Sequence, residues 1–193
     1  MQTGHAPLRV VASQGRLVSQ APAAAGNIPG RQLSVEEAFR TYSRYVATIA
    51  FRLLGRDDEV DDVVQEVFLQ AHKGLQNLRD EEAIKPWLAT VAVRVARRRL
   101  RLRRVGAWLG WSEPADFDHI ASPGASPEHQ ALLARVYEVL EALPVNQRIA
   151  WTLRYIEGEK LEDVAQVAGC SLATAKRWIG AAQAAIDGAF GHE

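Results

Sequence analysis

The chain has 193 residues, 48% of them hydrophobic, which is enough to bury a core in two small domains or one medium one and excludes a chain disordered throughout. Its 23 Lys and Arg offset its 23 Asp and Glu, but the charge is segregated: residues 1–112 carry 17 bases against 11 acids, residues 113–127 three acids and no base, and residues 128–193 six bases against nine acids. A single cysteine excludes an internal disulfide, the five histidines have no metal-ligand spacing, and no apolar run approaches the roughly 20 residues of a membrane span.

Residues 1–33, rich in Ala, Gly, Pro, Gln and Ser, read as a disordered N-terminal tail, and their apolar pieces, such as "LRVVA", are too short for a signal-peptide core. The expected location is the cytoplasm, with no membrane insertion, no metal and no cofactor. A first helix follows Ser34, which caps it with Glu37, and carries Phe39, Tyr42, Val46, Ile49 and Leu53 on one face up to Gly55. A second begins at Asp57 or Asp58, turns Val60, Val63, Val64, Val67 and Phe68 inward and runs to Gly74. The loop "GLQNLRDEE" leads to a third, from about Ala83 to Arg104. The periodicity then fails, and residues 105–127 read as a flexible linker, with Trp108 and Trp111 capping the domain before it. Residues 128–193 form a second domain. One helix carries Leu132, Leu133, Val136, Val139 and Leu140; Pro144 opens the next, which ends at Gly158; two short helices flank Gly169. The expected fold is all-α, two small helical domains, residues 34–104 and 128–193, on that linker.

Between Arg94 and Arg104 stand seven arginines and no acid. With Ile84, Leu88, Val91, Val95 and Leu102 packed inward, Arg94, Arg97, Arg98 and Arg101 form an outward row at helical spacing, suited to phosphates. A merely solvated face is the weaker reading, because unrelieved arginines repel one another. From Asp57 to Glu66 there are six acids and no base. Complementing a helix dipole accounts for Asp57, Asp58 and Glu59; Asp61, Asp62 and Glu66 lie further in and suit a basic protein partner equally well. Near the C-terminus Ala165, Gly169 and Ser171 follow helix-turn-helix logic: close approach, left-handed turn, cap. Leu161, Val164, Ala168, Leu172, Ala175 and Ile179 form the shared core, with Cys170 a small core residue rather than a reactive thiol. Thr174, Lys176 and Arg177 face outward.

Together these halves resemble the bacterial RNA polymerase sigma factors of the extracytoplasmic-function (ECF) group. "DDEVDDVVQEVFLQA" followed by "WLATVAVRVARRRLRLRR" resembles the family's region 2. "LEALPVNQRIAWTLRYIEGEKLEDVAQVAGCSLATAKRWI" resembles its region 4 without a gap. The resemblance implies an alternative sigma factor, not an enzyme, that binds core RNA polymerase and promoter DNA and in most relatives is restrained by an anti-sigma factor. It implies polymerase docking through Asp58, Asp61, Asp62, Gln65 and Glu66. Asn77 and Arg79 would read a flipped base of the −10 element, Arg94, Arg97, Arg98 and Arg101 would hold the melted strand, and Ser171, Thr174, Lys176 and Arg177 would read the −35 element. Two departures stand out. Region 4 keeps only Lys176 and Arg177 of the basic residues usual there, with Trp178, Gly180, Ala181 and Gln183 in place of others and Arg148, Arg154 and Lys160 upstream to supplement them. Region 2 has Arg94 and Arg98 where Asn and Asp are frequent. Promoter affinity is therefore expected to shift toward the arginine helix, while Trp178, Ile179 and Ile186 pack inward. The rivals are a stand-alone helix-turn-helix regulator that needs no polymerase, and a helical adaptor.

Overall fold

A computed structural model describes residues 34–75, 81–111 and 126–191. Seven α-helices order them: α1 (Val35–Leu54), α2 (Val60–Gly74), α3 (Glu81–Trp108), α4 (Pro127–Ala142), α5 (Val145–Trp151), α6 (Leu161–Ala168) and α7 (Leu172–Phe190). A single π-helical turn, Thr152–Ile156, continues α5, and the described residues contain no strand. The expectation of two all-α halves holds.

Local chemistry sets most helix ends. Ser34 Oγ accepts from Glu37 N–H at 3.2 Å while Glu37 Oε2 accepts from Ser34 N–H at 3.0 Å, a complete capping box at α1. Gly55 closes α1 in the left-handed conformation at φ +69°. Ser126 caps α4 with Pro127 in its first turn, and Pro144 precedes α5.

Several bounds differ from expectation. Helix α2 begins at Val60, so Asp57, Asp58 and Glu59 precede it, and the acids of its first turn are Asp61 and Asp62. Helix α3 runs past the expected end at Arg104 through Val105 and Gly106, both poor helix formers, to Trp108, and closes only where Gly110 takes the left-handed conformation at φ +73°. The helix after Gly169 is long, reaching Phe190. Trp108 and Trp111, expected to cap the first half, are 85% and 81% exposed.

The first half packs α1, α2 and α3 around Val46, Ile49, Leu53, Val63, Val67, Leu88 and Val95, all at most 1% exposed. Burying each such side chain contributes roughly 1.5–3 kcal/mol. Three residues expected inward are not: Phe39, Leu102 and Leu172 are exposed. Phe39 instead meets Phe68 edge-on, with ring centroids 5.0 Å apart.

The halves are not independent in this structure. The buried cluster of the first half continues through Ile149, Leu153, Val164, Ala175 and Ile179 of the second. A smaller cluster of Val136, Tyr137, Leu140, Trp151, Ala182 and Ile186 ties α4 and α5 to α7. The C-terminus of α1 is the polar anchor between them. Its last carbonyls face away from their own helix, and the second half supplies donors. Tyr137 Oη donates to Arg52 O (2.6 Å); Arg148 Nε and Nη2 donate to Leu53 O (3.1 Å) and Leu54 O (2.7 Å). Arg148 is 2% exposed, and its remaining nitrogen pairs with Glu141. Beside it Arg52 pairs with Glu157 at 2.7 Å.

Candidate polymerase and nucleic-acid interfaces

The arginines of α3 divide by the face they occupy. Arg99 and Arg103 turn toward α2. Arg99 reaches Asp62 (3.2 Å), Glu59 (3.5 Å) and Glu66 (3.8 Å), and Arg103 reaches Glu59 (3.0 Å). Arg98, on the surface, pairs with Glu66 at 3.1 Å. Arg97 is half-buried and donates to Ala168 O at 2.7 Å, which caps the C-terminal end of α6 at the helix-turn-helix. Burial, aided by Arg101, lowers its pKa from the ordinary guanidinium value. Arg104 donates to Leu143 O at 3.0 Å. Arg94 and Arg101 remain, exposed and with no acidic partner among the described residues. The predicted outward row therefore exists but is not uniform. Among the described residues two of its four arginines have no acidic partner, one is paired with an acid, and one is held by the other half.

The acids of α2 divide the same way. Asp62 and Glu66 are engaged by the arginines of α3. Asp58, ahead of the helix, pairs with Arg56, whose hydrogen bonds lower its carboxyl pKa. Asp61 and Gln65 stay exposed on the opposite edge, beside an apolar groove lined by Val35, Phe39, Val64, Phe68, Leu69 and His72. Phe39 is 48% and Leu69 66% exposed there. The sequence reading missed this groove. The exposed apolar residues were its signal, masked by their fit to a helical stripe. Asn77 and Arg79 lie outside the described residues.

In the second half Gly169, at φ +66°, ends α6 and turns the chain into α7. Ser171 Oγ caps α7 by accepting from Thr174 N–H at 3.2 Å and lies 2.9 Å from the Thr174 hydroxyl. Lys176 and Arg177 are exposed on the first turns, unpaired among the described residues. Ala175, just before them, and Ala182, beyond them, are fully buried, Ile179 and Ile186 nearly so, and Trp178 lies against the shared core, whereas Ala181 and Ala184 are exposed, so the expectation that the later alanines pack inward holds for Ala182. Gln183 is the hydrogen-bond acceptor for Trp151 Nε1 at 2.8 Å. Cys170 is half-buried against the core, and burial raises its thiol pKa. Arg148, expected to support DNA binding, is instead buried at the α1 terminus. Arg154 donates to Glu159 O at 2.7 Å, while Lys160 stays exposed.

These features define a two-part helical protein that pairs a helix-turn-helix with an arginine-faced bundle. Comparison with known proteins gives its family. Residues 38–105 match the model of sigma-70 region 2, and residues 133–185 that of sigma-70 region 4. The RNA polymerase sigma-H factor of Pseudomonas aeruginosa is 34% identical over 158 residues, covering 77% of this chain and 82% of that one. The ECF RNA polymerase sigma-E factor of Escherichia coli K12 is 30% identical over 155 residues, covering 76% and 81%. The solved complex of the sigma factor RpoE with the anti-sigma factor NepR from Bartonella quintana shares the fold. Its TM-score is 0.61 at 22% identity, with 82% of this chain and 97% of that one aligned. The chain belongs to the sigma-70 family, in its extracytoplasmic-function group.

Proposed function

We propose that this chain, as an alternative sigma factor, binds core RNA polymerase and carries it to promoters through separate faces of its first half. The observation that carries the assignment is the opposite character of those faces. On α3, Arg94 and Arg101 stand exposed on a stretch free of acids. On α2, Asp61 and Gln65 adjoin the apolar groove of Phe39, Phe68 and Leu69. The first suits a phosphate backbone. The second suits a protein surface that buries apolar area and answers an acid with a base. Asp58, Asp62 and Glu66 join the docking edge in a secondary role, since their charges are already answered within the chain.

Asn77 and Arg79 are the assigned readers of the −10 element; Arg94 and Arg101, with Arg97 and Arg98, hold the strand. Ser171, Thr174, Lys176 and Arg177 read the −35 element from the capped first turn of α7, where the helix N-terminus itself favours a phosphate. Residues 34–104 and 128–193 are the two functional halves and residues 105–127 the linker, with α3 carrying the first half as far as Trp108. An anti-sigma factor is a further partner, by analogy with the RpoE complex above. The site of action is the cytoplasm, and no catalytic role is assigned. Among the described residues no helix is long and apolar enough to cross a membrane.

Reconstitution with core polymerase tests the assignment. The full chain should direct specific transcripts from a promoter library, and Asp61→Arg should lower its affinity for core about tenfold while leaving the fold intact, a loss near the 1.4 kcal/mol expected for reversing one charge at an interface. Sequence-specific binding to duplex DNA without polymerase, and no initiation with it, would mark a stand-alone regulator.

A further inference from the structure

Helix α3 ends in an exposed apolar surface that the packing of the described residues does not use. Trp108 and Trp111 are 85% and 81% exposed, with Leu102 and Val105 exposed beside them. Exposed apolar surface of this kind marks a contact site more often than chance. Trp111 is held in place. Gly110 takes the left-handed conformation, Trp111 N–H donates to Gly106 O (2.8 Å), and Gly110 N–H donates to Ala107 O (3.1 Å), which together close a Schellman turn. In such a turn the residue at the position of Trp111 ordinarily packs on the side chain at the position of Gly106. Glycine offers none, so the indole stays in solvent.

The surroundings name the ligand. Arg94, Arg101 and Trp108 stand seven residues apart, two helical turns per step, so they share one line along α3 that spans about 21 Å. No acid occurs between Ala83 and Ser112. Arg94 and Arg101 have no acidic partner among the described residues. Phosphate-binding guanidiniums in line with solvent-facing indoles match the recurring design for single-stranded nucleic acid: cations track the backbone while unpaired bases stack on aromatic faces. A duplex offers the same phosphates but keeps its bases in the stack.

We propose that Trp108 and Trp111 form a stacking platform for unpaired bases of a single DNA strand whose phosphates lie on Arg94 and Arg101. The platform rests on the reading of α3 as the strand-holding helix and extends it to the start of the linker. Arg97 and Arg104 donate to carbonyls of the second half, so the strand first meets Arg94, Arg101 and the two indoles.

The test titrates a labelled oligothymidine and a duplex of equal length into the full chain and into two double variants. Because both side chains are exposed, Trp108→Ala/Trp111→Ala should keep the helical circular dichroism of the wild type. The alanine variant should bind the single strand about tenfold more weakly and the duplex within about twofold of wild type, in keeping with the loss of base stacking. Trp108→Phe/Trp111→Phe should retain most of the affinity, since a phenyl ring still stacks. The proposal is overturned by unchanged single-strand affinity in the alanine variant, by equal loss for strand and duplex, or by a wild type that does not bind oligothymidine. Lower affinity for core polymerase with strand binding intact would assign the patch to a protein partner instead, and would also overturn it. Promoter-specific transcription by the wild type is scored in parallel. Its absence counts against the sigma reading, whereas transcription that survives with an unaltered alanine variant counts only against the platform.

Discussion

Arg148 shows how one side chain is committed by its surroundings. Its guanidinium meets two carbonyls of α1 and the carboxylate of Glu141 while almost wholly removed from water. Truncation leaves those acceptors buried and unanswered, so Arg148→Ala should lower unfolding free energy by about 3 kcal/mol in urea titration. Arg148→Lys should recover little of it, because an ammonium cannot span both carbonyls as the planar fork does. Glu157 makes a second prediction. Burial, reinforced by Glu159 and opposed by Arg52, pushes its carboxyl up to about 7 from 4.5. The ion pair with Arg52 does not offset the burial, and one carboxyl oxygen has no hydrogen-bond partner among the described residues. A raised folded pKa means the folded chain binds the proton more tightly. The contribution is fullest below 4.5 and is lost as pH rises through about 7. The stability advantage of Glu157→Gln over wild type should therefore grow across that window, by up to about 3 kcal/mol. A difference that stays constant with pH would contradict the assignment.

Helix α7 carries two demands, reading at its start and packing along its length, and Gly180 within it and Gly169 ahead of it separate them. Gly180 is exposed in mid-helix with open space where a Cβ would stand. Gly180→Ala should stabilise the chain by about 0.5–1 kcal/mol and leave promoter binding unchanged, as read by thermal unfolding and filter binding. Gly169 also has open space but sits at φ +66°, so Gly169→Ala should cost about 1–2 kcal/mol through the backbone alone. Such elements were legible in the sequence because their determinants are local. The Ser34–Glu37 box, Gly55, Gly169 and the Ser171 cap each act within a few residues of themselves. The inward stripe of α7 was legible for the same reason, since Ala175, Ile179, Ala182 and Ile186 recur at helical spacing, while Ala181 and Ala184, read with it as packing residues, are exposed. The end of α3 was not. Its apolar periodicity stops at Arg104, while the backbone continues through the poor helix formers Val105 and Gly106 to Trp108 and stops only where Gly110 permits the turn.

At the scale of the whole molecule, the sequence announced an arginine helix and an acidic helix but not that they answer each other. Arg99 and Asp62 are 37 residues apart in the chain, and no periodicity reports a pairing across that distance. The same holds for Arg148, which reads as a surface base and is buried by a helix 94 residues before it. What remains after these pairings is a smaller and sharper set: Arg94 and Arg101 on α3, Asp61 and Gln65 by the groove, Lys176 and Arg177 on α7. The central claim is that the chain grips promoters mainly through α3. The direct measurement is open-complex formation on one promoter with core polymerase, comparing Arg94→Ala/Arg101→Ala with Lys176→Ala/Arg177→Ala. Each pair removes two charges that have no partner among the described residues, so the electrostatic loss is matched and the comparison reports position. The account predicts the larger loss for the α3 pair, by about tenfold or more. A larger loss for the α7 pair would contradict it.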